Sequence, residues 1–245
     1  MTNWFKKWLE KPLHPIDFGC LKTDMHSHLI PAIDDGATSL EESIKMIKAL
    51  HDLGYQKIIT TPHVMSDFYK NTHETILGGL ELVRDELQKQ NISIQLEAAA
   101  EYYLDYEFED KIKSGNLLTF SDNYILVETS FIEAPPNFKE LIFQLQLAGY
   151  KVVLAHPERY PFMSIDDYED LQSRSVYMQL NLLSLIGHYG VDVQKKASKM
   201  ITHGLISFVG TDCHNMGHAT VYEKCQTTKG WHQLVGSGKL LNHIL

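Results

Sequence analysis

Three cysteines in 245 residues, with no Cys-x2-Cys pair among them, leave the chain without a disulfide framework or a thiolate metal cage. Cys20, Cys213 and Cys225 suit a reducing compartment. No apolar run approaches the roughly 20 residues of a membrane span, and no signal-peptide core stands near Met1, so the expected location is the cytoplasm. Positive charge is short as well. The 22 Lys and Arg against 31 Asp and Glu give a formal charge of −9. That balance argues against nucleic acid as the main partner, which would need a basic stripe. Low-complexity linkers and long like-charge runs are missing too. The length suits one large α/β domain rather than two small ones.

What is present is a series of short apolar, β-branched runs, at about 21–25, 57–61, 93–99, 124–127, 151–154, 177–180 and 206–210. Helical patterns fill much of the space between them. Ser39-Leu40-Glu41-Glu42 reads as a capping box opening a helix through Ile44, Ile47, Leu50 and Leu53, with Gly54 as its stop. Thr72 or Asn71 caps the next, which passes through Leu77, Leu80 and Leu87 to end near Asn91. Helices are also expected over 136–148, 165–172 and 192–203. The tail from Ala219 reads as two helical pieces broken around Gly230. This alternation predicts right-handed crossovers and a parallel sheet, closed or nearly closed into a barrel. An open doubly wound sheet would need a Gly-rich phosphate loop after its first strand, where this chain has His26-Ser27-His28.

The endings of the runs are the strongest signal. In order they are Met25-His26-Ser27-His28, Pro62-His63, Ala100-Glu101, Val127-Glu128, Ala155-His156, Leu180-Asn181 and Thr211-Asp212-Cys213-His214. A parallel barrel brings the C-terminal ends of its strands to one face, where active sites lie. Residues two apart on a strand point the same way, so His26 with His28 forms one two-ligand clip and Asp212 with His214 another. Barrel closure makes the first and last strands neighbours, and Cys213 then points away from the metals. Glu101 and Glu128 would be costly as buried, unpaired carboxylates, and a carboxylate can bridge two cations. His63 and His156 add nitrogen donors. Imidazole and carboxylate without thiolate suit Mn, Fe or Zn at a reactive site. Asn181 reads as a hydrogen-bond partner of a ligand. His14, His51, His73, His188, His203, His232 and His243 read as surface or helix residues.

At these residues the chain resembles the PHP (polymerase and histidinol phosphatase) superfamily, in particular its bacterial manganese-dependent protein-tyrosine phosphatase branch of capsule and exopolysaccharide regulation. The resemblance rests on Asp24-Met25-His26-Ser27-His28, Asp34-Asp35-Gly36 with Ser39-Leu40-Glu41-Glu42-Ser43, Thr61-Pro62-His63, Ala100-Glu101-Tyr102-Tyr103, Ala155-His156-Pro157-Glu158-Arg159-Tyr160 and Asp212-Cys213-His214-Asn215. It implies a distorted (β/α)7 TIM-like barrel over 21–245, preceded by an arm over 1–20, with three divalent metals, Mn first and Fe or Zn as alternatives. By analogy the first metal takes His26, His28, Glu101 and Asp212. The second shares Glu101 and adds Glu128 and His156. The third takes His63, His214 and a carboxylate from Asp34 or Asp35, with the distance from His28 favouring Asp34. Arg159 matches the family's phosphate-binding arginine; a salt bridge to Glu158 or Asp166 is its alternative role. Two departures stand out. Val64-Met65-Ser66-Asp67 follows His63 where basic residues are common. His218 stands near the place of a second arginine.

The resemblance implies hydrolysis of phosphotyrosine in protein by a metal-activated water, the partner being the tail of a membrane-bound tyrosine kinase. Tyr102, Tyr103, Phe131 and Tyr160 are candidates to stack on the phenol ring. A cysteine mechanism fails on spacing, because no arginine stands six residues after any cysteine. The rivals are a small-molecule phosphatase of the histidinol-phosphate type and a non-catalytic regulator that binds a phosphoprotein. The opening Trp4-Phe5-Lys6-Lys7-Trp8-Leu9 reads as a helix packed on the barrel bottom or an oligomer contact, or else as a partner-docking arm with at most peripheral membrane contact.

Overall fold

The structure, a computed structural model, describes residues 13–245; the aromatic segment at 4–9 lies outside the described residues. Among the described residues, the named strands pair in parallel throughout. One sheet holds β1 (Thr23–Asp24), β2 (Lys57–Thr60) and β4 (Gln95–Ala98) in the order β1-β2-β4. The other holds β3 (His63–Val64), β5 (Glu101–Tyr103), β6 (Tyr124–Glu128), β7 (Lys151–Ala155), β8 (Tyr177–Asn181) and β9 (Phe208–Gly210) in chain order.

The seven expected runs thus become nine strands, because the second and third each break. Pro62 has no N–H to give and ends β2. The third run breaks at Ala99-Ala100. Backbone bonds carry the register across the breaks, from Ala99 N–H to Thr60 O at 2.9 Å and from Glu101 N–H to Pro62 O at 3.1 Å. As a result His63 lies in register opposite Glu101, and Tyr103 opposite Glu128.

Helices α1 (Leu40–Asp52), α2 (His73–Lys89), α4 (Phe138–Leu147), α5 (Ile165–Ser173) and α6 (Val191–Thr202) fall where the 3.6-residue periodicity places them. Helix α3 (Phe108–Ser114) is short and charged, and the sequence pattern missed it. Ser39 caps α1, but Glu42 reaches back to Thr38 rather than to the cap, so the expected box is half formed. Thr72 caps α2 reciprocally with Thr75; Asn71 instead donates to the carbonyls of Ile33 and His63. In the tail, α7 (Met216–Ala219) leads to α8 (Lys229–Ser237). The break falls at Thr228, which caps α8, and Gly230 lies inside that helix. Among the described residues, no helix is long and apolar enough to cross a membrane.

Alternation along the strands feeds two apolar clusters. On β6, Ile125 and Val127 join the large cluster shared with the helices. Tyr124 and Leu126 face a second one with Met25, Ile59, Ala99, Val153, Ala155 and Phe208. Burial on both faces is what a parallel sheet flanked by helices requires. Met25 and Ala155 each immediately precede a candidate metal-binding histidine, so the second cluster is the floor of the site.

The first and last strands meet through a parallel bridge between Ser27 and Cys213, with Asp212 N–H donating to His26 O at 2.7 Å and His28 N–H to Cys213 O at 3.0 Å. Lower down, side chains join them. Asp24 accepts from Thr211 N–H at 2.9 Å and from Thr211 Oγ1 at 2.6 Å. The buried Asn242 amide accepts from Val209 N–H at 3.0 Å and donates to Val209 O at 2.7 Å and Thr23 O at 3.1 Å. Asn242→Ala orphans these buried backbone groups and is expected to destabilise the fold by about 3 kcal/mol, read by urea unfolding. A midpoint equal to that of the parent would refute the seam.

Candidate metal centre

The expected metal-binding positions lie next to the strand ends described above, apart from Asp34 in the turn before α1, and most of their side chains converge. His26 Nε2, His28 Nε2, Glu101 Oε2 and Asp212 Oδ1 form a compact group. The two imidazole nitrogens are 3.3 Å apart, and each stands 3.2–3.4 Å from both carboxylate oxygens. His26, His28 and Glu101 offer donor atoms close enough to hold one cation, and Asp212 converges with His26 and His156 in the same way. Glu101 Oε1 faces His156 Nε2 at 3.0 Å, and Glu128 Oε2 lies 3.6 Å from the same nitrogen. His63 Nδ1 stands 2.9 Å from Glu128 Oε1 and 3.2 Å from Glu101 Oε2. It makes a hydrogen bond with neither, since both oxygens lie off the line a ring proton would take. Off-axis convergence of nitrogen and oxygen donors suits a cation between them better than a proton.

On the outer side, Asp35 Oδ1 lies 3.4 Å from His63 Nε2 and 3.5 Å from His214 Nε2, and these residues converge with His28. The sequence slightly favours Asp34, whereas Asp35 is the aspartate that faces the cavity. Asp34 Oδ2 accepts from His28 Nδ1 at 2.7 Å and from His63 N–H at 3.1 Å, and its other oxygen accepts from Gly36 N–H. The Asp34-Asp35-Gly36 turn therefore gives one aspartate to orienting His28 and the other to the cavity.

Mutual charge sustains the cluster. Burial alone would lower the His26 ring, but the carboxylates of Glu101 and Asp212 push it up to about 9. Burial would raise Glu101, yet the charges of His26 and His63 with hydrogen bonds from His156 and His26 hold it well below the carboxylate range. For Asp35, burial is outweighed by the hydrogen bond and charge of His214, leaving it at about 2. His156 (φ 32°) and Asp212 (φ 53°) adopt left-handed backbone, uncommon for non-glycine residues and tolerated where surroundings over-determine the site.

Arg159 lies beside the cluster, its guanidinium 4.3 Å from the Phe131 ring centre and 4.5 Å from that of Tyr189. Its Nη1 is 3.5 Å from Asp212 Oδ2. Neither alternative partner holds it: Glu158 is turned inward to Asn181 N–H and Ser184. His218 lines the same cavity, with Nδ1 facing His214 N–H at 3.4 Å. That cavity encloses about 680 Å³, with Phe68, Tyr69, Tyr103, Phe131, Ile132 and Tyr189 among its apolar walls.

Of the four aromatic candidates, Tyr103 and Phe131 face the cavity. Tyr102 points the opposite way from Tyr103, its hydroxyl accepting from Leu118 N–H, and Tyr160 is buried beneath Phe131. Sequence reasoning missed Tyr69, which stacks on His63, and Tyr189. It also missed Gln179, bonded to His26 Nδ1 at 2.8 Å; a glutamine inside a run buried on both faces was the available signal. Asn181 donates to Asp212 at 2.6 Å, which is the role read for it. Cys213 is buried, and burial pushes its thiol up to about 12.

Comparison with known proteins gives a consistent setting. Residues 22–228 match the family described as capsular polysaccharide synthesis, CpsB/CapC. The chain is 32% identical over 196 residues to tyrosine-protein phosphatase YwqE of Bacillus subtilis (strain 168), spanning 79% of this chain and 77% of that one. It is 26% identical over 196 residues, with the same coverage, to the putative tyrosine-protein phosphatase CapC of Staphylococcus aureus. Among solved structures, one from the work on YwqE from Bacillus subtilis and CpsB from Streptococcus pneumoniae, described there as unique metal-dependent tyrosine phosphatases, superposes with a TM-score of 0.79 at 28% identity over 91% of this chain and 90% of that one. The lactonase Lmo2620 from Listeria monocytogenes shares the fold alone, with a TM-score of 0.52 at 12% identity over 91% of this chain and 88% of that one.

Filling such a cluster stabilises the folded state. Mn²⁺ at a hundredfold excess over its dissociation constant is expected to add about 2.7 kcal/mol and raise the unfolding temperature by several degrees, reversed by a chelator. An unfolding temperature indifferent to Mn²⁺ and to chelator would argue against the centre.

Proposed function

Because the chain belongs to the CpsB/CapC family, we propose that it is a metal-dependent phosphatase that removes phosphate from tyrosine residues of proteins in capsular polysaccharide synthesis. One observation carries the reading: a buried cluster of imidazoles around Glu101 stands beside an arginine clamped between two aromatic faces at one wall of an aromatic cavity. The fold is read as a distorted seven-stave barrel, with β2–β3 and β4–β5 each forming one broken stave and the Ser27–Cys213 bridge closing the ring. Three divalent ions are assigned to the cluster, Mn²⁺ first. One takes His26, His28, Glu101 and Asp212; a second takes Glu101, Glu128 and His156; a third takes His63, His214 and Asp35.

When bound, divalent ions supply an activated water near neutral pH and offset charge on the phosphoryl oxygens. The chain's own residues do the rest. Arg159 offers its planar fork to the phosphoryl group, and Phe131 and Tyr189 keep that plane fixed. His218, on the same wall, is the second candidate grip. The leaving phenol has a pKa of about 10, so the demand for a strong proton donor is modest. Phe68 and Ile132 line the mouth at 76% and 83% exposure, an apolar cost that a protein substrate flanking the phosphotyrosine would offset. That breadth favours a peptide over a compact substrate such as histidinol phosphate. The partner is read as the tail of a membrane-bound tyrosine kinase, met in the cytoplasm, with the N-terminal arm as an aid to docking.

The deciding assay is phosphate release by Mn²⁺-loaded protein from phosphotyrosine peptide, phosphoserine peptide and histidinol phosphate. Preference for phosphotyrosine is expected, and turnover confined to histidinol phosphate would overturn the substrate. Arg159→Ala should lower kcat/KM by about 100-fold, the scale for losing one preorganised donor. Asp35→Asn should lower the bound-metal stoichiometry by one while Asp34→Asn keeps it, measured by elemental analysis; the reverse result would return the ligand role to Asp34.

A further inference from the structure

Strand β8 places two fully buried amides, Gln179 and Asn181, beneath the metal cluster. The polarity of their hydrogen bonds is forced. The ionised Asp212 Oδ2 only accepts, so Asn181 Nδ2, 2.6 Å away, is its donor. Asn181 Oδ1 is thereby left to accept from Gln179 Nε2 at 3.0 Å. That fixes Gln179 Oε1 toward His26 Nδ1 at 2.8 Å. An amide oxygen cannot donate, so the His26 Nδ1 carries a proton, and in the neutral ring the lone pair falls on Nε2, the atom that faces Glu101, Asp212 and His28. The orientation has an independent check, since the His156 N–H donates to the same Gln179 Oε1 at 3.3 Å. Gly210 keeps room for the device: a Cβ there would stand 2.8 Å from Gln179 Nε2 and 2.7 Å from His26 Cβ.

We propose that Asp212, Asn181, Gln179 and His26 form a positioning chain in which one ligand of a cation sets the tautomer of another ligand of the same cation. His26 and Asp212 would hold the same cation, which would bring the two ends of the chain together. Gln179 and Asn181 touch neither metal nor substrate; they act through the ligands at the chain's two ends. This inference rests on the reading of the cluster as a metal site.

The test is Mn²⁺ binding to the full chain by calorimetry, with the Mn²⁺-induced rise in unfolding temperature as a second readout. Gln179→Met is expected to weaken the affected site by about 10–100-fold, the usual consequence of losing a partner behind a histidine ligand. Its Mn²⁺-induced stabilisation should shrink in step. Gln179→Glu keeps an acceptor for His26 Nδ1 and should bind more tightly than Gln179→Met. A purely structural role would lower the metal-free unfolding temperature while leaving the Mn²⁺ affinity and increment at parental values, and that result overturns the proposal, as does Gln179→Glu binding no better than Gln179→Met. If Gln179→Met does not fold, Asn181→Ala reads the same chain from its other end, and parental affinity there is equally fatal. Parent protein that binds Mn²⁺ but releases no phosphate from phosphotyrosine would sink the phosphatase reading alone; parent protein that binds no divalent ion would sink both.

Discussion

The Glu101 carboxylate is the constraint on which the rest of the site depends. It is fully buried, and a lone carboxylate there would carry a desolvation cost of several kcal/mol. The fold answers with imidazoles on both oxygens: His26, His28 and His63 toward Oε2 and His156 toward Oε1. Those histidines come from three different strand ends, so no local segment can satisfy the charge alone. The parallel sheets must deliver all of them to one point, and the two broken strands are part of that delivery. After the break at Pro62, His63 stands in register opposite Glu101.

Holding the first and last strands together is the other half of the same requirement. His26 and His28 reach the centre from one side of the seam, Asp212 and His214 from the other. Main-chain pairing across the seam is confined to the region next to the ligands. Below it, Asp24 and Asn242 replace missing ladder bonds with side-chain ones. The left-handed backbone of Asp212 sits at the top of this seam, where its N–H is fixed on His26 O and its carboxylate on Asn181. Strain at a ligand is thus held by bonds from two neighbouring strands rather than by its own.

How much of this was readable follows from the range of each signal. His-x-His and Asp-x-His spacing and polar residues at the ends of apolar runs are local features, and they marked the strand ends without any tertiary knowledge. Asp34 against Asp35 is a different kind of question, because adjacent residues share every local property and only the path of the turn decides which one faces the cavity. The Tyr102–Tyr103 pair shows the opposite case. Alternation along a strand requires one of two neighbours to face away, so naming both as cavity residues ignored a rule already in use for His26 and His28. Gln179 was hidden because its partner His26 stands 153 residues away in the chain and meets it only in the folded protein. Helix α3 was missed because seven residues with little apolar periodicity carry almost no pattern.

The charge pattern around the cavity ties substrate binding to the cluster. Asp35, Glu101, Glu128 and Asp212 concentrate negative charge at the cavity floor, and Arg159 is the one arginine among the residues lining the cavity described above. Its guanidinium already leans on Asp212. A phosphate dianion entering that field would meet repulsion from the carboxylates, and attraction from Arg159 and from imidazoles already paired with those carboxylates, a poor balance at such short range. Cations held among the carboxylates reverse the sign of the floor. On the proposed reading they would also weaken the pull of Asp212 on Arg159 and leave the guanidinium to the phosphoryl group. Metal binding would in that case prepare the arginine as well, and the aromatic clamp of Phe131 and Tyr189 would keep Arg159 in place while its partner changed.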